Sequence, residues 1–324
     1  MQPWKMSMIS LIIFGSILTM SSPSWMGMWM GLEINLMGII PLLISEKNAR
    51  HSEASLKYFL VQALGSSILI FAFLLHSSNL MESFMTTMVM VSMMIKSGIA
   101  PFHFWIPPVT EGLKYTDLLL ILTWQKVAPM SVLLYMMPEF NTNILMTSIF
   151  LSVTLGAIGG FNQTSNRKIL AYSSIAHSGW MISALLISFK TWTFYMIIYS
   201  TVLASLLNLM LKLNMNKILQ NTMMQKHSKV SMMISILSLG GLPPFLGFLP
   251  KLMVINQMYT TSIALTYTMM MCALLTLFYY LRMTYSMMMI HYMTMKLPMN
   301  LNSSSNQILT NMLPILLMIP ILLN

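Results

Sequence analysis

The sequence has few charged residues and a single cysteine. Charged residues make up 7% of the 324 residues, whereas a soluble domain carries roughly 25%, so this chain lacks the polar groups to cover a water-exposed surface. Cys272 alone cannot bind an iron–sulfur cluster or form an internal disulfide. The motifs CxxCH, GxGxxG and GxxxxGK followed by Ser or Thr are also missing. Any electron chemistry must therefore occur on another chain.

Long apolar runs fill the sequence instead. Hydrophobic residues account for 56% of it, and runs long enough to cross a bilayer recur from end to end. The sequence predicts an all-α, polytopic membrane protein of about eleven transmembrane helices. The predicted spans are 6–22, 25–45, 54–76, 83–106, 116–137, 143–161, 168–189, 191–211, 230–255, 259–290 and 308–323. Many similar runs follow the first one, which favours an uncleaved span over a secretory signal.

Basic residues are distributed unevenly over the predicted loops. The net charge is +10, but the Lys and Arg residues are scattered between apolar spans, so nucleic-acid binding is not predicted. If the N-terminus lies on side one, eleven loop Lys and Arg residues fall on side one and only Lys190 falls on side two. The positive-inside rule makes side one the cytoplasm-equivalent face, which in a mitochondrion is the matrix. The C-terminus is then predicted on the opposite face.

Two proline-containing segments resemble each other. Residues 98–107 read GIAPFHFWIP and residues 241–250 read GLPPFLGFLP, with four identical positions. Proline frees a backbone carbonyl that must face protein or water inside a membrane, so such breaks mark where water can enter. The segments lie in the fourth and ninth predicted spans, an odd offset of five, so they run in opposite directions, which predicts two inverted five-helix repeats. The predicted units are the first repeat at 1–137, the second at 138–295, and a tail with the last helix at 296–324. Chance similarity of two proline-rich helix ends is the alternative.

Four ionisable residues are predicted deep in spans or beside the breaks: Glu33, Lys96, Lys126 and Lys251. A charge at the bilayer centre costs roughly 2.5–3.5 kcal/mol on insertion scales, which suggests that these charges are used. Snorkelling or a locking salt bridge is the alternative for each. A lysine in apolar surroundings loses proton affinity, and a nearby carboxylate restores it. We therefore expect Glu33 to pair with Lys96, and opening of that pair to push a proton towards Lys126.

Histidine and several neighbouring residues are further candidates. His177 is predicted in the middle of the seventh span, where imidazole can carry protons near neutral pH. His103 in the first break, Lys168 and Tyr172 are secondary relay candidates, although an anchor on the basic face explains Lys168 better than a relay does. Arg282 is interpreted as a contact to a lipid headgroup or the membrane interface. No metal site is predicted.

Several motifs together resemble a known family. They are WMGLEIN, EASLKYFL, KSGIAPFHFW, LTWQKVAP, GAIGGFNQTSNRKILAYSSIAHSGWM and LSLGGLPPFLGFLPK, which occur in order between about residues 25 and 285. They resemble the NADH dehydrogenase subunit 2 family of animal mitochondria. That family belongs to the antiporter-like membrane subunits of respiratory complex I, which are similar to Na⁺/H⁺ antiporters of the Mrp type.

The resemblance implies a role for each predicted residue. Glu33 matches the family's ion-pair glutamate and Lys96 the lysine of the first broken helix. Lys126 matches the central relay lysine, Lys251 the lysine of the second broken helix, and His177 part of the axis between two half-channels. Lys96 precedes its break whereas Lys251 follows its own, so the half-channels are not expected to be strict mirror images.

The same resemblance implies a location and a setting. It places the chain in the mitochondrial inner membrane as a proton-translocating subunit, beside other membrane-arm subunits, accessory subunits and a phospholipid such as cardiolipin. It implies no cofactor on this chain, because FMN, iron–sulfur clusters, NADH and ubiquinone belong to other subunits. A stand-alone Na⁺/H⁺ antiporter would use the same charges, and a structural spacer of the membrane arm is a third possibility that the site residues alone do not exclude.

Overall fold

Helices make up the regular secondary structure of the described residues, apart from one isolated bridge between Ser165 and Lys217. A computed structural model describes residues 3–45, 48–77, 82–137, 142–213, 215–218, 220 and 226–288. The prediction of an all-α chain is confirmed for these ranges. The predicted span 308–323 and the tail 296–324 lie outside the described residues.

Thirteen α-helices and one π-helical segment are described. They are α1 (Pro3–Ser21), α2 (Trp25–Ile44), α3 (Ala49–Ser77), α4 (Glu82–Ser97), α5 (Ile106–Gly112), α6 (Tyr115–Leu119), the π segment (Leu120–Trp124), α7 (Gln125–Tyr135), α8 (Thr142–Phe161), α9 (Asn166–Ile187), α10 (Phe189–Leu213), α11 (Lys226–Gly240), α12 (Phe248–Met258) and α13 (Ile263–Met288).

Eight segments within the described residues are long and apolar enough to cross a membrane. One of the eight, Tyr115–Tyr135, consists of α6, the π segment and α7 in succession. The predicted spans 83–106 and 230–255 differ from these eight because neither is a continuous helix. In the first, α4 is followed by an irregular stretch that leads to α5 at Ile106, and in the second an irregular stretch separates α11 from α12.

The two interruptions have the same backbone geometry. Gly98 and Gly241 both adopt positive φ, at 70° and 79°, a conformation that glycine reaches without the steric cost of a side chain. At both places, the amide after the glycine donates a hydrogen bond to the carbonyl five residues earlier. Ile99 donates to the Met94 carbonyl at 3.0 Å, and Leu242 donates to the Leu237 carbonyl at 3.4 Å. The shared Gly/Pro pattern therefore ends both helices in the same way.

The π segment is a feature that the apolar pattern does not predict. Leu120–Trp124 is wound with the wider π-helical turn, and Thr123 donates a hydrogen bond to the Leu119 carbonyl at 2.6 Å. Single π turns inside α-helices occur often at functional sites. Here the turn immediately precedes α7, whose second residue is Lys126.

Helix α9 lies at the centre of the bundle. Eighty-nine per cent of its apolar window is buried inside the protein, against 22–56% for the other membrane-spanning helices. The helices α5, α8, α10, α12 and α13 all pack against α9. A helix surrounded on every side is shielded from lipid, so its polar residues meet protein groups rather than hydrocarbon.

Candidate functional site

Lys126 is buried between helices of the two predicted repeats. Its side chain is 2% exposed, and its ammonium donates a hydrogen bond of 2.7 Å to the Ser174 carbonyl of α9. The same ammonium lies 5.9 Å from the centre of the Tyr199 ring on α10. An ammonium over an aromatic face gains a favourable cation–π interaction. Lys126 is therefore held in protein surroundings and does not snorkel to the membrane surface.

His177 occupies the middle of α9, between two lysines. Its Nδ1 atom lies 2.8 Å from the Tyr195 hydroxyl of α10, and the Tyr199 ring packs 4.9 Å from the imidazole, centre to centre. Lys126 and Lys251 are both close enough to His177 to interact with it electrostatically. The histidine thus connects the two ammonium groups within one buried region.

Lys251 stabilises the second break with its ammonium group. It lies in the first turn of α12, and its Nζ donates hydrogen bonds to the carbonyls of Leu239 at 3.2 Å and Gly240 at 2.9 Å. These carbonyls end α11 and have no amide partner within that helix. The ammonium also lies 6.0 Å from the Trp180 ring centre on α9.

Lys96 ends the helix before the first break but does not stabilise it with its own ammonium. Gln62 donates to the Lys96 carbonyl at 3.1 Å, and the Trp105 indole donates to the Ile95 carbonyl at 3.1 Å. Both donors are uncharged. The Lys96 side chain packs against Gly65 of α3, 2.9 Å from where a Cβ would stand.

Glu33 lies on α2 and is partly buried. It interacts electrostatically with Lys96, but the described residues contain no ion pair of 4.0 Å or less between the two. The expected pair is therefore separated in this arrangement. A separated pair is one of the two states that the relay hypothesis requires.

The secondary candidates lie apart from this region or make local contacts. His103 is buried in the first break, where its Nδ1 lies 3.3 Å from the Pro101 carbonyl. Lys168 forms a salt bridge of 2.8 Å with Glu111 and is about one-third exposed. Tyr172 packs its ring against Gly159 of α8.

The expected lipid contact of Arg282 is replaced by contacts within the protein. Its guanidinium donates to the Phe161 carbonyl at 2.7 Å and to the Gln163 carbonyl at 2.6 Å. These carbonyls follow α8, where a helix end leaves acceptors without partners. Arg282 is best described as a capping group that joins α13 to α8.

A buried polar network beside Lys126 was not predicted from the sequence. Gln125 donates to the Asn35 side chain at 2.8 Å, and the Tyr58 hydroxyl donates to Gln125 at 3.3 Å. The network joins α2, α3 and α7 next to Glu33 and Lys126. Asn35 and Gln125 both stand inside apolar runs, which is the signal that could have identified them.

A cluster of buried tyrosines on α10 and α13 was also not predicted. Tyr195, Tyr199, Tyr279 and Tyr280 surround the region between His177 and Lys251, and each side chain is at most 3% exposed. Tyrosines in apolar spans are also common at membrane interfaces. The sequence alone therefore could not show that these four tyrosines are buried among the helices.

Among the described residues, no group of three or more His, Cys, Asp or Glu side chains could hold a metal ion. The polar groups of the site are ammonium, imidazole, phenol and amide. Such groups can hold and exchange protons or bind water.

Comparison with known proteins places this arrangement among membrane subunits of respiratory complexes. Residues 22–276 match the family model described as NADH:quinone oxidoreductase/Mrp antiporter, transmembrane region. The NADH-ubiquinone oxidoreductase chain 2 of Anopheles gambiae is 44% identical over 293 residues, which cover 87% of this chain and 85% of that protein.

Two solved structures share the fold at low sequence identity. A chain of respiratory complex I from Thermus thermophilus with bound aureothin superposes with a TM-score of 0.86 at 21% identity, covering 98% of this chain and 77% of that one. A chain of the Mrp complex from Dietzia sp. DQ12-45-1b gives a TM-score of 0.77 at 17% identity, covering 85% and 59%. Both broken helices lie within the span matched by the family model.

Proposed function

The chain belongs to the NADH:quinone oxidoreductase/Mrp antiporter family, among its NADH-ubiquinone oxidoreductase chain 2 members, and from this premise we propose that it is a proton-translocating membrane subunit of respiratory complex I. It carries no redox centre in this proposal. NADH oxidation and ubiquinone reduction, with their FMN and iron–sulfur cofactors, take place on other subunits.

One observation carries the proposal: Lys126, His177 and Lys251 are all buried in one region around α9. The two ammonium groups both act electrostatically on the imidazole between them. Buried charges are costly unless they are held by specific partners, and here the partners are backbone carbonyls and aromatic rings. Such partners hold a cation without fixing it permanently. A carboxylate would fix it.

The first half of the path begins at Glu33 and Lys96. When the pair closes, the carboxylate holds the proton on Lys96, and when it opens the proton is released towards Lys126. The amide groups of Asn35 and Gln125, bonded at 2.8 Å, connect the helix of Glu33 with the helix of Lys126.

The chain is proposed to contain two inverted five-helix units, 1–137 and 138–295, followed by 296–324. The matching backbone geometry of the breaks at Gly98 and Gly241 supports this division. Broken helices in corresponding places of inverted repeats are typical of ion pathways. We place the chain in the mitochondrial inner membrane with its N-terminus on the matrix side and its C-terminus on the intermembrane-space side, because basic loop residues concentrate on side one.

The partners in this proposal are other membrane-arm subunits, accessory subunits and phospholipid such as cardiolipin. Large apolar side chains cover the outer faces of α1, α3 and α13, including Phe14, Leu64 and Leu274 at 56%, 61% and 63% exposure. Lipid tails and neighbouring transmembrane helices are the surroundings that such faces require.

The direct test replaces Lys126 with Met in the assembled complex. We expect the number of protons pumped per electron to fall, because Met fills a similar volume but cannot carry a proton. Lys190→Met is the matched control, since Lys190 is exposed on the loop side of α10. An unchanged proton stoichiometry in Lys126→Met would refute the proposed role of the central lysine.

Two other functions predict different results. A stand-alone Na⁺/H⁺ antiporter would exchange the ions when the purified chain alone is placed in vesicles, and the likeness to an Mrp chain is the observation that favours this test. A structural spacer would leave pumping unchanged in the double variant Glu33→Gln and Lys126→Met.

A further inference from the structure

Three buried phenol groups near the proposed path have no hydrogen-bond partner within the described residues. They are the hydroxyls of Tyr199, Tyr279 and Tyr280. The three side chains are 3%, 0% and 1% exposed. Buried hydroxyl groups are normally paired with protein or ordered water, because leaving them unpaired loses hydrogen bonds that water would supply. Three such groups together therefore require an explanation.

The unpaired phenols lie close to one another and around His177. Tyr199 on α10 interacts electrostatically with both tyrosines of α13. Tyr280 also lies near Tyr279 and Ser173, yet none of these contacts meets the distance and angle of a hydrogen bond. The Ser173 hydroxyl instead donates to the Leu170 carbonyl within its own helix, at 2.9 Å. The cluster is therefore polar, and the close contacts within it fall short of hydrogen-bond geometry.

Two small cavities extend from His177 through this cluster. One reaches Tyr199 and the second break, where it touches Ser238, Leu239 and Gly247. The other reaches Lys251 and is lined by Tyr279 and Tyr280. The first has room for about one water molecule, whereas the second is closed in this arrangement.

We propose that Tyr199, Tyr279 and Tyr280 form a water-binding junction between His177 and Lys251, which opens when the Lys251 side chain leaves the carbonyls of α11. The unpaired hydroxyls supply the hydrogen bonds that entering water needs, and a buried water commonly makes about three of them. This inference rests on the proposed function, because it assigns the step between two residues of that path.

The proton step at the junction is balanced. The His177 imidazolium gives its Nε2 proton to the bound water, and the water gives another to the neutral amine of Lys251, while Nδ1 of His177 faces the Tyr195 hydroxyl. His177 becomes neutral, Lys251 becomes an ammonium, and the water is regenerated. The phenols keep their protons and serve as donors and acceptors that hold the water in line.

The test compares two pairs of tyrosines on the same helix of the assembled complex. The double variant Tyr279→Phe with Tyr280→Phe removes the two hydroxyls and keeps the rings. The matched control is Tyr267→Phe with Tyr285→Phe, because these side chains are 59% and 63% exposed on the outer face of α13. Both pairs change the same atoms, so an effect of hydrophobicity alone would appear in both.

We expect the buried pair of substitutions to slow proton pumping about tenfold, since a positioned proton-transfer group contributes at least 10²-fold in typical cases and part of that depends on bound water. The control pair should pump at the unmodified rate, and the amount of assembled complex should be the same for both. A purely structural role would lower the amount of complex and leave the solvent deuterium isotope effect on pumping unchanged, whereas the junction requires that isotope effect to change.

The inference is wrong if the buried double variant pumps at the unmodified rate with an unchanged isotope effect. It is equally wrong if a high-resolution map of the working complex contains no water within hydrogen-bond distance of any of the three hydroxyls. Lys126→Met separates this failure from failure of the proposed function: loss of pumping in that variant preserves the lysine path even when the junction is refuted.

Discussion

The two broken helices share a backbone geometry but differ in what satisfies their free carbonyls. At the first break, the uncharged side chains of Gln62 and Trp105 donate to the carbonyls of Lys96 and Ile95, both at 3.1 Å. At the second break, the Lys251 ammonium donates to the carbonyls of Leu239 and Gly240. The end of α11 therefore depends on a group that can lose a proton, whereas the end of α4 is capped by neutral donors.

The two breaks are similar in sequence, but this difference gives them distinct roles in the proposed mechanism. In that mechanism, the caps of the first break do not involve the Lys96 ammonium, so this lysine can respond to Glu33 without a change at the end of α4. Movement of Lys251 would remove two hydrogen bonds from the end of α11, which would link proton transfer there to a change in the helix end. The cause is the order along the chain, because Lys96 precedes its break whereas Lys251 follows its own.

Replacing the two break lysines should produce the largest contrast. Lys251→Met leaves two buried carbonyls without their donor, at a cost of about 1–3 kcal/mol each. Lys96→Met leaves both neutral caps in place. We expect Lys251→Met to lower the thermal stability and the yield of assembled complex, while Lys96→Met assembles normally and loses pumping. Equal stability of the two variants would remove the proposed difference between the breaks.

Alanine at the two positive-φ glycines should rank next. Any Cβ in this conformation costs about 1–2 kcal/mol, and at Gly98 the Cβ would also collide with the Ile106 side chain. At Gly241 the nearest atoms are Cδ and Nζ of Lys251, both 3.0 Å away on a flexible side chain. Gly98→Ala should therefore be the less stable variant in thermal unfolding of the complex.

Gly241→Ala should act on function instead, because the new methyl group displaces the Lys251 ammonium from the α11 carbonyls. We expect slower proton pumping per assembled complex, together with a loss of stability smaller than that of Gly98→Ala. Normal pumping in Gly241→Ala would show that the position of this ammonium is not critical.

Gln62→Leu tests the first break more specifically, and its expected effect is smaller. It removes the donor to the Lys96 carbonyl and keeps the lysine, which should cost about 1–3 kcal/mol of stability. Pumping by the complex that does assemble should be normal. A pumping defect with unchanged stability would indicate that Gln62 belongs to the proton path rather than to the cap.

Lys168→Met should have the smallest effect. The Lys168–Glu111 salt bridge is partly exposed, and such pairs are worth at most about 1 kcal/mol. Proton pumping and melting temperature should both stay close to the unmodified values. A large loss of pumping would instead give Lys168 a role in the relay.

The positions of the breaks could be predicted from the sequence because they depend on local chemistry. Glycine and proline end a helix wherever they stand, so GIAPFHFWIP and GLPPFLGFLP were sufficient to place both interruptions. Deep lysines were recognisable for a similar reason, since a charge in an apolar run is rare and costly.

The partners of those lysines could not be predicted, because they depend on how distant helices pack. Ser174 lies 48 residues from Lys126, and Gln62 lies 34 residues from the carbonyl that it caps. The π segment at Leu120–Trp124 and the tyrosine cluster depend on the same tertiary contacts. The protein contacts of Arg282 have the same origin, since its acceptors lie at the end of a helix more than one hundred residues earlier.

The most direct test of the contrast between the breaks is the structure of the assembled complex at rest and during turnover. The account predicts that Lys251 Nζ moves beyond 3.5 Å from the Leu239 and Gly240 carbonyls in one of these states, while the Gln62 contact to the Lys96 carbonyl stays near 3.1 Å in both. A Lys251 ammonium that keeps both hydrogen bonds in every state would contradict it.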